Sequence, residues 1–424
     1  MSTTILVIGL MVFFAHFLSL QFNRTNIPDV LVLMLIGIVI GPLMGLVTPD
    51  DFGKLGSLIA TIALVVILFE SGTSLDLNVL GKSLATTGML AISCFLLTLC
   101  VVAALAYFAL GLALLPAFLL GMTVGGTSAA VVIPMVNALK LGEKTSTVLV
   151  LESALTDVLS IVGVFALLQI YTSGGVDPGK LLGSVLSALI FAAVIGFLGG
   201  IGWLLVLGKV RNFPNTISST LAYVFILYGV TEELGFSGAI AALALGITLT
   251  NFEKFGLHHI QHLDRKIEPL SESDITFFQE AVFLLKTYFF VYLGISIHFG
   301  AMQLALTALG MILLIYALRI LLTRQVFRND EFTPRDAAIT AIMAPKGLAA
   351  AVLASLPLEY GVIGGETIRD ITYMVVLISI TLTALLVIVY PASPVQRVFA
   401  SLLGKSSKPA TVPEIPVDSS NGDN

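Results

Sequence analysis

The chain has 424 residues, 57% of them hydrophobic and only 11% charged, with a mean hydropathy of +1.03. Soluble chains are about 25% charged, so a soluble domain is excluded. The net charge of −5 comes with no clustered basic surface, so nucleic acid is not a partner. Apolar runs of about 20 residues recur from end to end, which predicts an all-α polytopic protein embedded in a lipid bilayer.

In chain order the hydropathy pattern predicts thirteen spans, at roughly 3–22, 28–47, 54–71, 82–110, 112–138, 146–171, 180–208, 216–233, 236–250, 277–297, 301–323, 335–357 and 370–392. The first, MSTTILVIGLMVFFAHFLSL, lacks a basic leader and a small-residue cleavage site and reads as a retained span. In the second, Gly37 and Gly41 form a small-xxx-small packing face suited to an internal contact. Cys94 and Cys100 in the fourth are six helical residues apart, a rise of about 9 Å, too far to bridge. Glu232 and Glu233 border a short outer turn and read as solvated. His258, His259 and His262 lie on the connection 251–276 and read as a solvated cytoplasmic segment. Residues 1–402 form one transmembrane domain. The polar, proline-containing tail 403–424 is expected to be disordered.

Basic residues orient the spans. Fifteen lysines and arginines fall on one side, from Arg24 to Lys408, against Lys54, Lys180 and Arg369 on the other. The N-terminus is therefore expected outside and the C-terminus in the cytoplasm, in the plasma (inner) membrane. Three basic residues remain at depth. Arg319 is close enough to a cytoplasmic end to snorkel. Lys286 reads as a structural charge, and Lys346 as a functional one.

The fifth span contains GMTVGGTSAAVVIP (121–134), in which Gly125, Gly126 and Pro134 surround Thr127 and Ser128. Adjacent glycines followed by hydroxyls in mid-membrane predict a broken helix. The twelfth contains IMAPKGLAAAVLASLP (342–357), with Pro345 and Gly347 around Lys346, a second break. Seven spans apart, the two cross in opposite directions. That arrangement is the mark of an inverted-repeat secondary transporter with its site at the midplane. Spans 1–6 and 8–13 would be the repeats and span 7 the connector.

Between the breaks, the sixth span carries LESALTDVLSIV (151–162). At 100° per residue, Ser153 and Asp157 share one face, Glu152 and Thr156 the adjacent one, and the two acids point about 140° apart. One face can offer oxygens to a hard cation such as Na⁺ or Li⁺. The other can hold a structural partner.

Four motifs together, VILFESGTSLDLN (66–78), ESALTD, FLLKTYFFVYLGISI (283–297) and APKGLAAAVLA, resemble the cation:proton antiporter superfamily and, within it, the NhaP-type sodium/proton antiporters. The resemblance implies a dimer in which six core helices move against a dimerisation domain. It implies that Asp157 binds cation and proton in turn, that Ser153 and the Thr127 backbone are further Na⁺ ligands, and that Glu70 lies near the cation path. It implies that Glu152 pairs with a base on the twelfth span, here Lys346. The sequence departs from that pattern where Thr156-Asp157 replaces Asn-Asp, where Thr127-Ser128 replaces Thr-Asp, and where Lys346 replaces an arginine. One titrating acid predicts electroneutral exchange of Na⁺ or Li⁺ for H⁺. K⁺/H⁺ exchange is the alternative favoured by a less charged site, and sodium-coupled solute uptake ranks lower. No enzyme motif and no cofactor are expected.

Overall fold

The computed structural model describes residues 9, 13–17, 28–73, 75, 77–172, 178–210, 218–255, 270–298, 302–327 and 332–404. Most of the first predicted span, the three loop histidines and the tail from 405 lie outside these residues.

The described elements are helices throughout: α1 (Asp29–Ile38, continued to Leu43 by a π-turn around Pro42), α2 (Gly53–Thr73), α3 (Leu77–Leu110), α4 (Leu114–Gly125), α5 (Ala129–Leu139), α6 (Glu143–Thr172), α7 (Pro178–Val210), α8 (Ser219–Glu233), α9 (Gly238–Thr250), α10 (Glu272–Ile295), α11 (Met302–Val326), α12 (Pro334–Ile342), α13 (Leu348–Leu353), α14 (Leu356–Glu359), α15 (Gly365–Val389) and α16 (Ser393–Leu403). They account for predicted spans two to thirteen. Spans five and twelve are each two half-helices, α4/α5 and α12/α13, as the glycine and proline punctuation predicts. The second break follows from chemistry: Pro345 has no amide hydrogen to donate and forces the preceding residue towards an extended conformation.

Helix starts are set by caps. Thr333 and Asp336 close a capping box on α12 with Pro334 in its first turn. Ser271 and Asp274 do the same for α10. Asp274 is thus a helix cap, while Glu280 is exposed. The exposed helix α16 was not anticipated by hydropathy because only one stripe of it is apolar. Phe399, Ala400 and Leu403 are buried, and the helix packs on α11 and α12.

The helices sort into two groups. One is α3, α4/α5, α6, α11, α12/α13 and α15. The other is α1, α2, α7, α8, α9 and α10. They meet where α6 touches α7, where α13 reaches α2 and α10, and where α15 reaches α1. In the second group, Lys286 of α10 bonds Asp29 of α1 at 2.8 Å, the structural charge expected of it. Cys94 is buried and Cys100 exposed, both as free thiols.

Two crossings in the second group are built alike. Gly37 of α1 lies against Gly294 of α10; a Cβ on Gly37 would stand 2.9 Å from the Gly294 Cα and run into the Val291 carbonyl. Gly72 of α2 lies against Gly246 of α9; a Cβ on Gly72 would stand 3.1 Å from the Gly246 Cα and run into the Leu243 carbonyl. The two contacts pair span two with ten and span three with nine. The local sequences agree: IGI (36–38) with LGI (245–247), and SGTSL (71–75) with LGISI (293–297). Gly37 serves an internal contact, as expected. Because backbone rather than side chain blocks the added methyl, Gly72→Ala is expected to cost about 1–3 kcal/mol. Thermal unfolding in detergent measures this, and an unchanged Tm would contradict the crossing.

Candidate functional site

α6 carries both acids, and the structure sends them to different places. Glu152 is completely buried. Its carboxylate accepts two bonds from the Arg319 guanidinium of α11, at 2.5 and 2.9 Å. The pairing of Glu152 with Lys346 is therefore corrected. Nor does Arg319 snorkel: it is 3% exposed, and its Nε also donates to the Thr340 carbonyl in the last turn of α12 at 2.9 Å. The planar guanidinium fork satisfies a carboxylate at two points, which a lysine cannot do. A buried carboxylate needs such a partner.

Lys346 turns instead to the first break. Its Nζ donates to the carbonyls of Gly126 at 2.9 Å and Gly125 at 3.3 Å, at the C-terminus of α4. The C-terminal ends of both half-helices thus carry a cation, Lys346 on α4 and Arg319 on α12, where the helix dipole is negative.

Asp157 occupies the complementary place. It faces the Ala129 amide at the N-terminus of α5, where the dipole is positive, and is 8% exposed. Lys346 and Glu70 are charged groups that act on it electrostatically. Glu70 is half-buried on α2 and so belongs to the other helix group. Asp157 and Glu70 therefore belong to opposite sides of the seam between the groups.

The breaks are held by hydroxyls and by each other. The Thr127 amide donates to Thr156 Oγ1 at 3.0 Å, and the Lys346 amide to Ser379 Oγ of α15 at 2.9 Å. Each break is thereby tied to a later long helix, α6 or α15. The Ser128 amide donates to the Pro345 carbonyl at 2.8 Å, joining one break to the other. Gly347 must lack a side chain, because an added Cβ would collide with Ser128 Oγ. Ser153 Oγ donates to the Val150 carbonyl at 2.8 Å, leaving its lone pairs free to accept a cation.

The structure thus gathers Asp157, Thr127, Ser128, Thr156 and Lys346 at one crossing, with Ser153 one turn away on the Asp157 face and Glu70 across the seam. It detaches Glu152 as part of a separate ion pair. Sequence reasoning missed Arg319 as that partner and Ser379 as the second hydroxyl tie. A buried hydroxyl one span after each break was the available signal for Ser379. Among the described residues no group of three or more His, Cys, Asp or Glu side chains is placed to hold a metal.

Residues 9–388 match the family described as "Sodium/hydrogen exchanger, transmembrane". The chain is 25% identical over 369 residues to a K(+)/H(+) antiporter NhaP2 of Shewanella sp. (strain MR-4), covering 84% of this chain and 61% of that one. It is 26% identical over 293 residues to Sodium/hydrogen exchanger 8 of Arabidopsis thaliana, covering 65% of this chain and 37% of that one. The fold is similar to the sodium proton antiporter MjNhaP1 of Methanocaldococcus jannaschii at pH 8, with TM-score 0.72, 21% identity, and coverage of 90% of this chain and 99% of that one. The chain spans about three fifths of the length of the Shewanella relatives. With the family match running over nearly the whole membrane region, the chain belongs to the transmembrane sodium/hydrogen exchanger family.

Proposed function

We propose that the protein exchanges a monovalent cation, Na⁺ or Li⁺, for H⁺ by alternating access, the two ions competing for Asp157 in a one-for-one cycle. The observation that carries this reading is the placement of Asp157: a nearly buried carboxylate at a helix break, on one side of a seam between two helix groups. An acid at that depth is a functional group by default. A carboxylate that takes either ion, and must carry one of them to cross, gives obligatory exchange. Ser153 and the Thr127 backbone add oxygen ligands, and Glu70 lies on the approach from the other group. Thr156 and Lys346 hold the break. Glu152 with Arg319 keeps α6 and α11 together as one moving body.

The group holding Asp157 would rock or slide against the group holding Glu70, the latter also forming the contact of a homodimer. The N-terminus is placed outside and the C-terminus, with the tail 403–424, in the cytoplasm of the cell that bears the protein in its plasma membrane; the lysine and arginine asymmetry supports this. Spans 1–6 and 8–13 act as the repeats, joined by span 7.

K⁺/H⁺ exchange is the second reading. Two observations favour it: the Shewanella relatives are named K(+)/H(+) antiporters, and Ser128 supplies no charge at the break. Proteoliposomes with an internal pH dye, pulsed with Na⁺, Li⁺ or K⁺, separate the readings. Na⁺- or Li⁺-driven alkalinisation supports the first, and a response to K⁺ alone the second. No response from folded protein sinks both. Because the ions compete, lowering the pH on the cation side is expected to raise the apparent KM for the cation and leave the maximal rate unchanged. A fall in maximal rate at constant KM would refute a shared site.

A further inference from the structure

We infer that Ser160 is a ligand of the transported cation and helps set the choice among Na⁺, Li⁺ and K⁺. The inference rests on the reading of Asp157 as the cation site.

Ser160 lies three residues after Asp157 on α6, and Ser153 four before it, so all three share one stripe of the helix. Many buried hydroxyls on helices in this protein return their proton to a carbonyl one turn earlier, although those of Thr87, Thr287, Thr323 and Thr340 have no partner. Thr123 donates to Leu119, Thr231 to Leu227, Thr248 to Ala244, and Ser153 to Val150, each at 2.7–2.8 Å. Ser160 does not. It is 1% exposed, and its Oγ has no hydrogen-bond partner. A buried hydroxyl left unmade carries a desolvation cost, which a ligand would relieve.

Its hydroxyl is aimed at the first break. A Cβ built on Gly126 would stand 2.9 Å from Ser160 Oγ, 3.1 Å from Asp157 Oδ1 and 3.3 Å from the Thr156 carbonyl oxygen. A hydroxyl, a carboxylate and a carbonyl therefore turn towards the same face of Gly126, which has no side chain to fill the space between them. That donor set is all oxygen and carries one negative charge. It suits a hard monovalent cation whose lost hydration the oxygens replace. Ser153 lies on the opposite side of Asp157 along the helix. The two serines thus bracket the carboxylate, and an ion on Asp157 can exchange a ligand at one end for a ligand at the other.

The test uses the full-length protein in detergent. Cation binding is followed as thermal stabilisation by NaCl, LiCl or KCl against choline chloride at constant ionic strength. The same preparations are reconstituted for exchange, with Asp157→Asn alongside. Ser160→Ala is expected to raise the binding midpoint and the exchange KM roughly tenfold, the scale of one lost hydrogen-bonding ligand, and to change the order of cation preference. Ser160→Thr, which keeps the hydroxyl, is expected to stay close to the parent. Ser160→Cys, nearly isosteric but with a soft sulfur that suits alkali cations poorly, provides the same test should the alanine variant not fold. Unchanged affinity and cation order in the alanine or cysteine variant would overturn the role of Ser160. The exchange reading would survive that result if Asp157→Asn is silent and the parent is active. A folded parent that is neither stabilised by nor exchanges any of the three cations would overturn both.

Discussion

Asp157→Asn is expected to abolish cation-driven proton movement, lowering the rate to the level of protein-free liposomes while the protein remains folded. Asparagine has nearly the same shape, and its side-chain oxygen can still face the Ala129 amide at the start of α5. What it loses is the charge and the exchangeable proton. In a site screened from water, one unit of charge on the ligand decides whether a bare cation can be held there at all, because a neutral amide replaces little of the lost hydration. The measurement is the internal pH dye after a cation pulse, with Tm recorded on the same preparation. Exchange by a folded Asp157→Asn protein would remove this residue from the mechanism and move attention to Glu70, the acid on the other side of the seam.

The second large effect concerns stability. Glu152→Gln leaves the buried Arg319 guanidinium without its carboxylate, and Arg319→Gln leaves Glu152 uncompensated; the pair is 0% and 3% exposed. Breaking one partner of such a pair costs about 3–5 kcal/mol, whereas replacing both by apolar residues of similar size is often neutral or stabilising. Either single variant is therefore expected to lower Tm sharply, and Glu152→Met with Arg319→Met to recover much of the loss. Exchange in the double variant should persist, since Asp157 and the break residues are untouched. If the double variant is stable and silent, the pair takes part in transport and is not only a fastening.

Hydropathy alone located the membrane-spanning helices, because an apolar run of some twenty residues has few alternatives in a bilayer. The breaks were legible for the same reason: glycines and a proline at mid-membrane leave backbone groups that only a cavity or a neighbouring helix can satisfy. The faces of α6 were legible too, since helical geometry separates Glu152 from Asp157. Partner choice was not. In the sequence Arg319 lies near enough to a helix end to snorkel, and Lys346 sits at a break beside the acids. Periodicity gives direction around one helix but says nothing about which neighbour stands opposite. The glycine crossings show the same limit: Gly72 and Gly246 are 174 residues apart, and only the folded chain brings them together. Ser160 went unread because a serine in a membrane helix is ordinarily satisfied by its own backbone. It stands out only when its unpartnered hydroxyl is seen beside Gly126 and the Asp157 carboxylate. The helix α16 was missed because half of its surface is polar.

The attachment of Lys346 to the α4 carbonyls, rather than to an acid, has an electrical consequence. Within the group that carries the site, Glu152 and Arg319 cancel, and a charged Lys346 cancels an ionised Asp157. Loading Asp157 with either Na⁺ or H⁺ then gives the moving body the same single positive charge. A full cycle carries that charge once in each direction, so the membrane potential cannot drive net exchange. It does act on each limb, by up to about 2.3 kcal/mol per 100 mV for a charge crossing the whole field. Voltage should therefore hasten the inward passage of one loaded form and retard the outward passage of the other, altering turnover without altering the equilibrium ion gradients.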